Sequence, residues 1–370
     1  REPLTEAIIQ DGLARFGEGN PGHVYSGDGI SRWNLIGHFK GGEGRSLLFD
    51  VHIDTMPSGP RELWSFDPLD AQVRDGKIWG LGTCDMKGGL LASVLGVKLL
   101  QDAGIPLPGD VHILSVVDEE GGGNGSLAAM LSGHRADAAV VCEPSNGSVT
   151  VAHMGFVFFK VEVRGVALHS GGKWKGVNAI EKAVLLMGAL NDLEHEWLMR
   201  YKHPLLPPPT LNIGVIEGGT AGSTVPDRCV FKLCLHYHPE TMSHDSVVKE
   251  VTDRLLLRAA GDTWLRDNPP EISIYQAGGA FEMERGHPFV LAVEESIASV
   301  RKEAPPVVGS PAGNDARLLR NIGTMPVVIT GPGRQEQCHS PDEYIEANEY
   351  LEYIEIYARL ILDWCGRHKE

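Results

Sequence analysis

Six side chains of this 370-residue chain are of the types that bind and activate: His52, Asp85, Glu119, Glu120, Glu143 and His339. Each follows an apolar run or a glycine-spaced turn that reads as a strand giving way to a loop. Leu47-Leu48-Phe49-Asp50-Val51 runs into His52, and Gly80-Leu81-Gly82-Thr83-Cys84 delivers Asp85 ahead of an apolar helical run. Val111-His112-Ile113-Leu114-Ser115-Val116-Val117 ends in Asp118-Glu119-Glu120, and Ala138-Ala139-Val140-Val141-Cys142 ends in Glu143. Val327-Val328-Ile329 leads through Thr330-Gly331-Pro332-Gly333 to His339. In open α/β sheets, ligands bind in the crevice beyond the carboxyl ends of the strands. Imidazole and carboxylate together suit zinc and its neighbours. Any one of the six has an ordinary explanation, a histidine satisfied by a carbonyl or a solvated loop acid. Six at equivalent topological points do not.

Three carboxylates with two imidazoles meet the needs of a two-metal site, in which one shared carboxylate bridges ions ~3.5–4 Å apart. Asp85, short and set on its turn, is the natural bridge. Two divalent cations are balanced by three ligand carboxylates and a bridging hydroxide, which leaves one acid over. Of Glu119 and Glu120, one can ligate while the other acts toward water as a general base. Asp54, two residues beyond His52, is placed to accept the other ring N–H and fix its tautomer.

These side chains need a scaffold larger than one ordinary core, and the length predicts roughly two domains. Apolar residues at 42% with 22% charged describe a globular protein, and no run approaches the ~18 apolar residues of a membrane helix. A formal charge of -16 argues against a nucleic-acid partner, which clustered Lys and Arg would attract. Six cysteines without a Cys-x-x-Cys pair indicate neither a zinc knuckle nor a disulfide framework, so reduced thiols in a cytoplasm are expected. The opening Arg1-Glu2-Pro3-Leu4 shows no basic-then-apolar leader, so no secretory signal is expected.

In order, the chain predicts a helix carrying Ile8, Ile9 and Leu13 and a strand over 34–39. His23 and His38 have no partner at ligand spacing and read as surface or packed histidines. Leu90, Leu91, Val94, Leu95 and Leu99 recur at helical spacing up to a capping Gly104, with Gly88 and Gly89 allowing close packing at the start. From Gly155 the pattern changes, because Phe156-Val157-Phe158-Phe159-Lys160-Val161-Glu162-Val163 mixes apolar and polar residues as a sheet with one wet face does. Strands at 209–216 and 227–238 and helices near 177–200 and 243–260 make an inserted α/β layer. A helix from Phe289 to Val300 and a last amphipathic helix return to the first style. The expected domains are 1–154 with 278–370, and 155–277.

His52-Ile53-Asp54-Thr55-Met56-Pro57, Gly80 through Gly89, Asp118-Glu119-Glu120 and His339 resemble the di-zinc M20 peptidase/deacylase family. Within it the chain looks most like the acetylornithine deacetylase and succinyl-diaminopimelate desuccinylase branch, along nearly its whole length. The resemblance implies an α/β fold: a central mixed, mostly parallel sheet with helices on both faces, plus an inserted α+β ferredoxin-like lid and dimerisation domain. It implies two Zn2+, or Co2+, with one ion on His52, Asp85 and Glu143 and the other on Asp85, Glu120 and His339. Glu119 is then the base, and Asp85-Met86 a cis peptide. Glu at 143 is similar to the deacylases and glutamate carboxypeptidases. Gly165 to Gly171 matches a segment whose histidine, here His169, reaches the partner subunit's active site in a homodimer and steadies the oxyanion. Asn178 and the Gly218-Gly219-Thr220 turn match substrate-side positions, while Ser223 stands where relatives commonly have Asn. Asp315 and Arg317 match a segment that helps hold the substrate, with a helix-start ion pair as their alternative.

The expected activity is metal-dependent hydrolysis of the amide of a small N-acyl amino acid or related amine. One rival is an exopeptidase resembling glutamate carboxypeptidase, whose relatives carry Arg-Pro-Ala-Phe where this chain has Gly278-Gly279-Ala280-Phe281. Another is a deformylase of aminopyrimidine breakdown products. A third, a non-catalytic metal-binding protein on the same fold, has no use for an unliganded Glu119.

Overall fold

The computed structural model describes residues 1–16, 18 and 32–367, so His23 lies outside the described residues. The chain divides into two compact units: residues 1–152 with 281–310 and 314–370, and residues 153–280 with 311–313.

The first unit is built on a mixed sheet. Its strands are β1 (Glu2–Pro3), β2 (Trp33–Phe39), β3 (Leu47–His52), β6 (Val111–Val116), β7 (Ala138–Val141), β8 (Val149–His153), β15 (Phe281–Glu282), β16 (Val307–Ser310) and β17 (Val327–Ile329). Their order is β1-β2-β6-β3-β7-β17-β8-β15, with β16 on β8. At the centre β3 runs parallel to both β6 and β7, and β17 runs parallel to β7. On the flanks β2 is antiparallel to β6, and β8 to β17. Strands covered on both faces need apolar residues at every position, not at alternate ones. Leu47, Leu48, Phe49 and Val51 of β3 and all four residues of β7 are accordingly buried. The register sets His52 beside Val116, so the chain leaves β3, β6 and β7 at neighbouring points.

Helices flank this sheet. They are α1 (Glu6–Phe16), α2 (Gly88–Asp102), α3 (Asn124–Leu131), α6 (Pro288–Arg301), α7 (Ala316–Asn321) and α8 (Ala347–Cys365). Helices α2 and α6 both pack on α8. Gly104, at φ 69°, stands one residue past the Ala103 cap of α2. At the start of α2, Gly89 has no room for a side chain, because a Cβ there would lie 2.4 Å from the carbonyl oxygen of Cys142. A small three-stranded sheet joins β4 (Gln72–Arg74), β5 (Lys77–Trp79) and β18 (Tyr344–Glu346).

The second unit is a four-stranded antiparallel sheet in the order β11-β13-β9-β14. It comprises β9 (Gly155–Arg164), β11 (Thr210–Gly218), β13 (Arg228–Tyr237) and β14 (Glu271–Gly278), crossed by α4 (Ala179–Arg200) and α5 (His244–Ala260). The βαββαβ order with this strand arrangement is ferredoxin-like. Alternate residues of β9, Val157, Phe159 and Val161, enter a core with Trp197, Leu190, Phe231 and Leu255. The short strands β10 (Leu168–His169) and β12 (Thr224–Val225) pair antiparallel. Strands β8 and β14 and helix α3 are absent from the sequence reading. Strand β14 is an edge strand whose Ile274 and Tyr275 are exposed, so it lacks a clean apolar face.

Gly89→Ala tests the contact between α2 and the end of β7. Alanine favours the helix by about 1 kcal/mol, but overpacking against a backbone carbonyl costs about 1–3 kcal/mol. The clash prevails, so urea unfolding is expected to show a less stable variant; a more stable one refutes the close approach.

Candidate metal centre

The loops after the central strands bring the six sequence-predicted donors together. His52 closes β3 and is 1% exposed. Its Nε2 lies 3.0 Å from Asp85 Oδ1 and 3.8 Å from Glu143 Oε1. The other carboxylate oxygen of Asp85, Oδ2, is 3.3 Å from His339 Nε2, which is also 3.0 Å from Glu120 Oε1. Asp85 therefore offers one oxygen to each histidine. Donor atoms of His52, Glu119 and Glu143 lie within 4.8 Å of one another, and so do those of Asp85, Glu120 and His339.

Local backbone geometry makes this convergence possible. Asp118, Gly122 and Gly123 adopt φ of 64°, 129° and 77°, folding the acid-bearing loop back on itself. Such angles explain Gly122 and Gly123, since glycine takes φ > 0 without a Cβ penalty, while at Gly121 a Cβ would lie 2.5 Å from Asp118 Oδ1. His339 also has positive φ, at 58°, and the Asp85-Met86 peptide is cis, as the resemblance implies.

The electrostatics are those of crowded acids in a dry place. Burial, then neighbouring carboxylates, pushes Glu119 and Glu143 well above the usual carboxylate range, Asp315 acting first on Glu119 and Asp85 on Glu143. Burial followed by Asp85 raises Glu120. Burial opposes the charge of Asp85 too, but hydrogen bonds from His339 and His52 outweigh it and hold that carboxyl below its ordinary value. His52 is pulled down by burial but raised more by its hydrogen bond to Asp85 and the fields of Glu143, Glu119 and Asp85. His339 rises to about 9, chiefly through its hydrogen bond to Asp85. Four acids facing two imidazoles form an anionic nest of oxygen and nitrogen donors, and this donor set fits paired divalent cations.

Asp54 departs from expectation. Its Oδ1 is 3.7 Å from His52 Nδ1, beyond a hydrogen bond, and its Oδ2 instead accepts the Glu120 N–H at 3.2 Å. The Asp54 backbone carbonyl, 3.0 Å from Nδ1, takes over. A carbonyl only accepts, so Nδ1 carries a proton toward Asp54, and Nε2 is the nitrogen turned toward the acids, the atom that would ligate a metal once its own proton is displaced. The Asp54 side chain thus steadies the loop of Glu120, and its main chain fixes the tautomer.

Glu343 escaped the sequence reading. It is 2% exposed, and its carboxylate accepts N–H groups from Gly82 at 2.7 Å, Cys84 at 2.7 Å and Asp85 at 3.0 Å. Gly82, at φ 76°, turns the loop so that these donors converge. Only its position four residues after His339 could have hinted at this.

Asp315 and Arg317 are buried structural groups, which corrects their expected contact with substrate. Arg317, 2% exposed, donates to Glu18 Oε2 at 3.0 Å and to the carbonyls of Asn314 and Gly122. Asp315 accepts from Ser126 Oγ at 2.7 Å, and the same hydroxyl is 2.9 Å from Asp50 Oδ2. The helix-start ion pair is not formed either, since Arg317 pairs with Glu18 across the fold and Asp315 accepts from Ser126. Asn178 is the N-cap of α4, its side-chain oxygen accepting from Ile180 N and Glu181 N, so that oxygen serves the helix start. His169 lies exposed in the second unit, where its Nδ1 accepts the Gly171 N–H at 3.1 Å. Its segment pairs with the one that follows Ser223: His169 sits opposite Thr224, and Ser170 N donates to Ser223 O.

Fold and donor set together are of the kind found in metal-dependent hydrolases. Residues 48–363 match the family described as peptidase family M20/M25/M40, and the chain belongs to it. It is 32% identical to the N-formyl-4-amino-5-aminomethyl-2-methylpyrimidine deformylase of Bacillus subtilis (strain 168), over 94% of this chain and 85% of the relative. To the acetylornithine deacetylase of Edwardsiella ictaluri it is 29% identical, over 91% of this chain and 85% of the relative. The fold is shared with the aminopeptidase PepT of Bacillus cereus, at TM-score 0.72 and 21% identity over 96% of this chain and 90% of that one. It is shared also with the YXEP protein of Bacillus subtilis, described as a dinuclear metal binding peptidase, at TM-score 0.63 and 16% identity over 89% and 84%. The chain is an enzyme acting on amide bonds, in a family that typically depends on two metal ions. No helix among the described residues is long and apolar enough to cross a membrane.

Glu343→Gln trades one of two accepting oxygens for an amide that repels the loop N–H groups. Metal affinity is expected to fall roughly 10–100-fold, as for other outer partners of metal ligands, read by competition with a chelator; unchanged affinity overturns the role. Arg317→Met is expected to destabilise by about 3–5 kcal/mol by stranding Glu18, with KM unchanged in the folded fraction. A raised KM at native stability would restore its place beside the substrate.

Proposed function

We propose that the chain is a two-metal deacylase whose substrate is a formamide or small acylamide of a primary amine. The observation that carries this reading is the surplus acid. His52, Asp85 and Glu143, with Asp85, Glu120 and His339, supply two three-donor sets sharing Asp85, which leaves Glu119 over. We read the pair as Zn2+, with Co2+ served by the same donors. Such cations supply Lewis acidity toward an acyl carbonyl and make water a nucleophile near neutral pH.

The protein's own part is positional and protonic. Glu119 accepts a proton from water as the new C–O bond forms, then delivers it to the nitrogen as the C–N bond breaks, leaving a carboxylate and a free amine. His169, supplied by a second copy of the chain in a homodimer, donates to the oxyanion. Its exposure in the second unit and the Gly171 N–H that holds Nδ1 support this. Six unpaired cysteines agree with a reducing, cytoplasmic setting.

For the substrate, an N-formyl aminopyrimidine is favoured. Two deformylase relatives, that of Bacillus subtilis at 32% identity and one of Halalkalibacterium halodurans at 33%, support it. So does Gly278 in the place where carboxypeptidase relatives have the arginine that grips a substrate carboxylate. Met56, Pro57, Trp64 and Leu81 line a small cleft beside Glu120 and His339, so apolar side chains stand next to the donors. An N-acyl amino acid is the second reading, favoured by the acetylornithine deacetylase relatives.

Hydrolysis of the formylaminopyrimidine, acetylornithine, succinyl-diaminopimelate and an acyl-glutamate, measured in parallel, is expected to rank the formamide first by kcat/KM. A preference for acetylornithine would move the assignment to the second reading. Glu119→Gln is expected to lower kcat by about 10²–10⁴-fold on every substrate, with metal content unchanged. Full activity in that variant would rule Glu119 out as the base.

A further inference from the structure

Sequence spacing made His38 a surface or packed histidine without a partner. It is an exposed, ring-stacked histidine as expected, but its partners come from a distant stretch of chain. His38 of β2 is directly opposite His112 of β6 in the antiparallel register, so both side chains rise from the same face. Their rings stack with centroids 4.5 Å apart and planes 6° from parallel. Asp110, two residues before His112, reaches the same place, with Oδ2 2.9 Å from His38 Nε2. Its other oxygen accepts the Gly41 N–H at 2.9 Å, which fixes the carboxylate as an outer partner fixes a metal ligand.

We propose that His38, Asp110 and His112 form a separate binding site for a divalent transition-metal cation, with Zn2+ as the natural occupant, clipping β2 to β6. One donor atom from each residue lies within 4.8 Å of the others. Tetrahedral zinc with ligands at 2.0–2.2 Å places donor atoms about 3.3 Å apart, so closure needs side-chain movements of about 1 Å together with rotation of the two rings out of their parallel stack, which brings both ring planes onto one ion. Two imidazoles and a carboxylate are a three-ligand zinc set that leaves a coordination position for water. His38 is exposed, which gives an ion a way in. The site is not part of the hydrolytic centre: it lies near the amino end of β6, whereas Glu119 and Glu120 follow the carboxyl end. Roughly 13 Å of strand separates His112 from Val116. Beyond Trp33 and Asn34, where β1 pairs, β2 has no outer neighbour among the described strands, so the ion would tie down a length of sheet edge.

The test begins from holoenzyme and adds Zn2+, with bound metal counted by equilibrium dialysis and elemental analysis. Wild type is expected to bind one ion per chain more than His38→Gln or Asp110→Asn, with the same hydrolytic rate in all three. Added Zn2+ should raise the thermal unfolding midpoint of the wild type alone. Cu2+ in place of Zn2+ should show nitrogen hyperfine couplings from two imidazoles in wild type and lose one in His38→Gln. Asp110→Asn preserves shape, so it decides the matter should His38→Gln fold poorly. Equal metal counts in wild type and Asp110→Asn, or copper spectra unchanged by His38→Gln, overturn the site and leave an ordinary histidine–aspartate pair.

Discussion

Confinement of like charge governs this molecule. Asp85, Glu119, Glu120 and Glu143 converge within hydrogen-bonding or near-contact distances of two histidines, largely out of water, and burial is the largest influence on each carboxyl. No isolated loop would hold such an arrangement, since each acid is better solvated apart from the rest. The sheet enforces it. β3 between β6 and β7, all three parallel, fixes three chain exits side by side, and their apolar runs anchor the exits from below.

Satisfaction of backbone donors does the finer positioning. The Asp54 carbonyl orients His52, the Asp54 carboxylate holds the Glu120 loop, and Glu343 gathers three N–H groups of the turn bearing Asp85. None of the three touches another through a side-chain ion pair, yet each removes one freedom from a donor. The same logic recurs at Arg317, where a buried carboxylate and two carbonyls take up guanidinium donors that would otherwise be available to a ligand.

The donors were legible in the sequence because each is a local event, a polar residue where an apolar run stops. His52, Glu143 and the Glu119-Glu120 pair could be read that way without knowing which strands are neighbours. What could not be read depends on pairing between distant stretches. Glu343 is an unremarkable acid until the turn at Gly82 is laid over it, and His38 is a lone histidine until the register sets His112 opposite. Asp54 illustrates a subtler gap: its spacing from His52 was informative, but whether main chain or side chain fills the role is decided by the neighbouring loop. Strand β8, buried throughout, and edge strand β14 were missed because neither alternates cleanly.

Glu343 and His339 lie on the far side of the second unit in chain order from every other member of the centre. A polypeptide emerging from the ribosome therefore carries His52, Asp85 and its cluster of acids through the whole synthesis of that unit with neither the second imidazole nor the carboxylate that shapes the aspartate turn. The full donor set therefore exists only once the 339–343 segment has arrived, after the strands that came first.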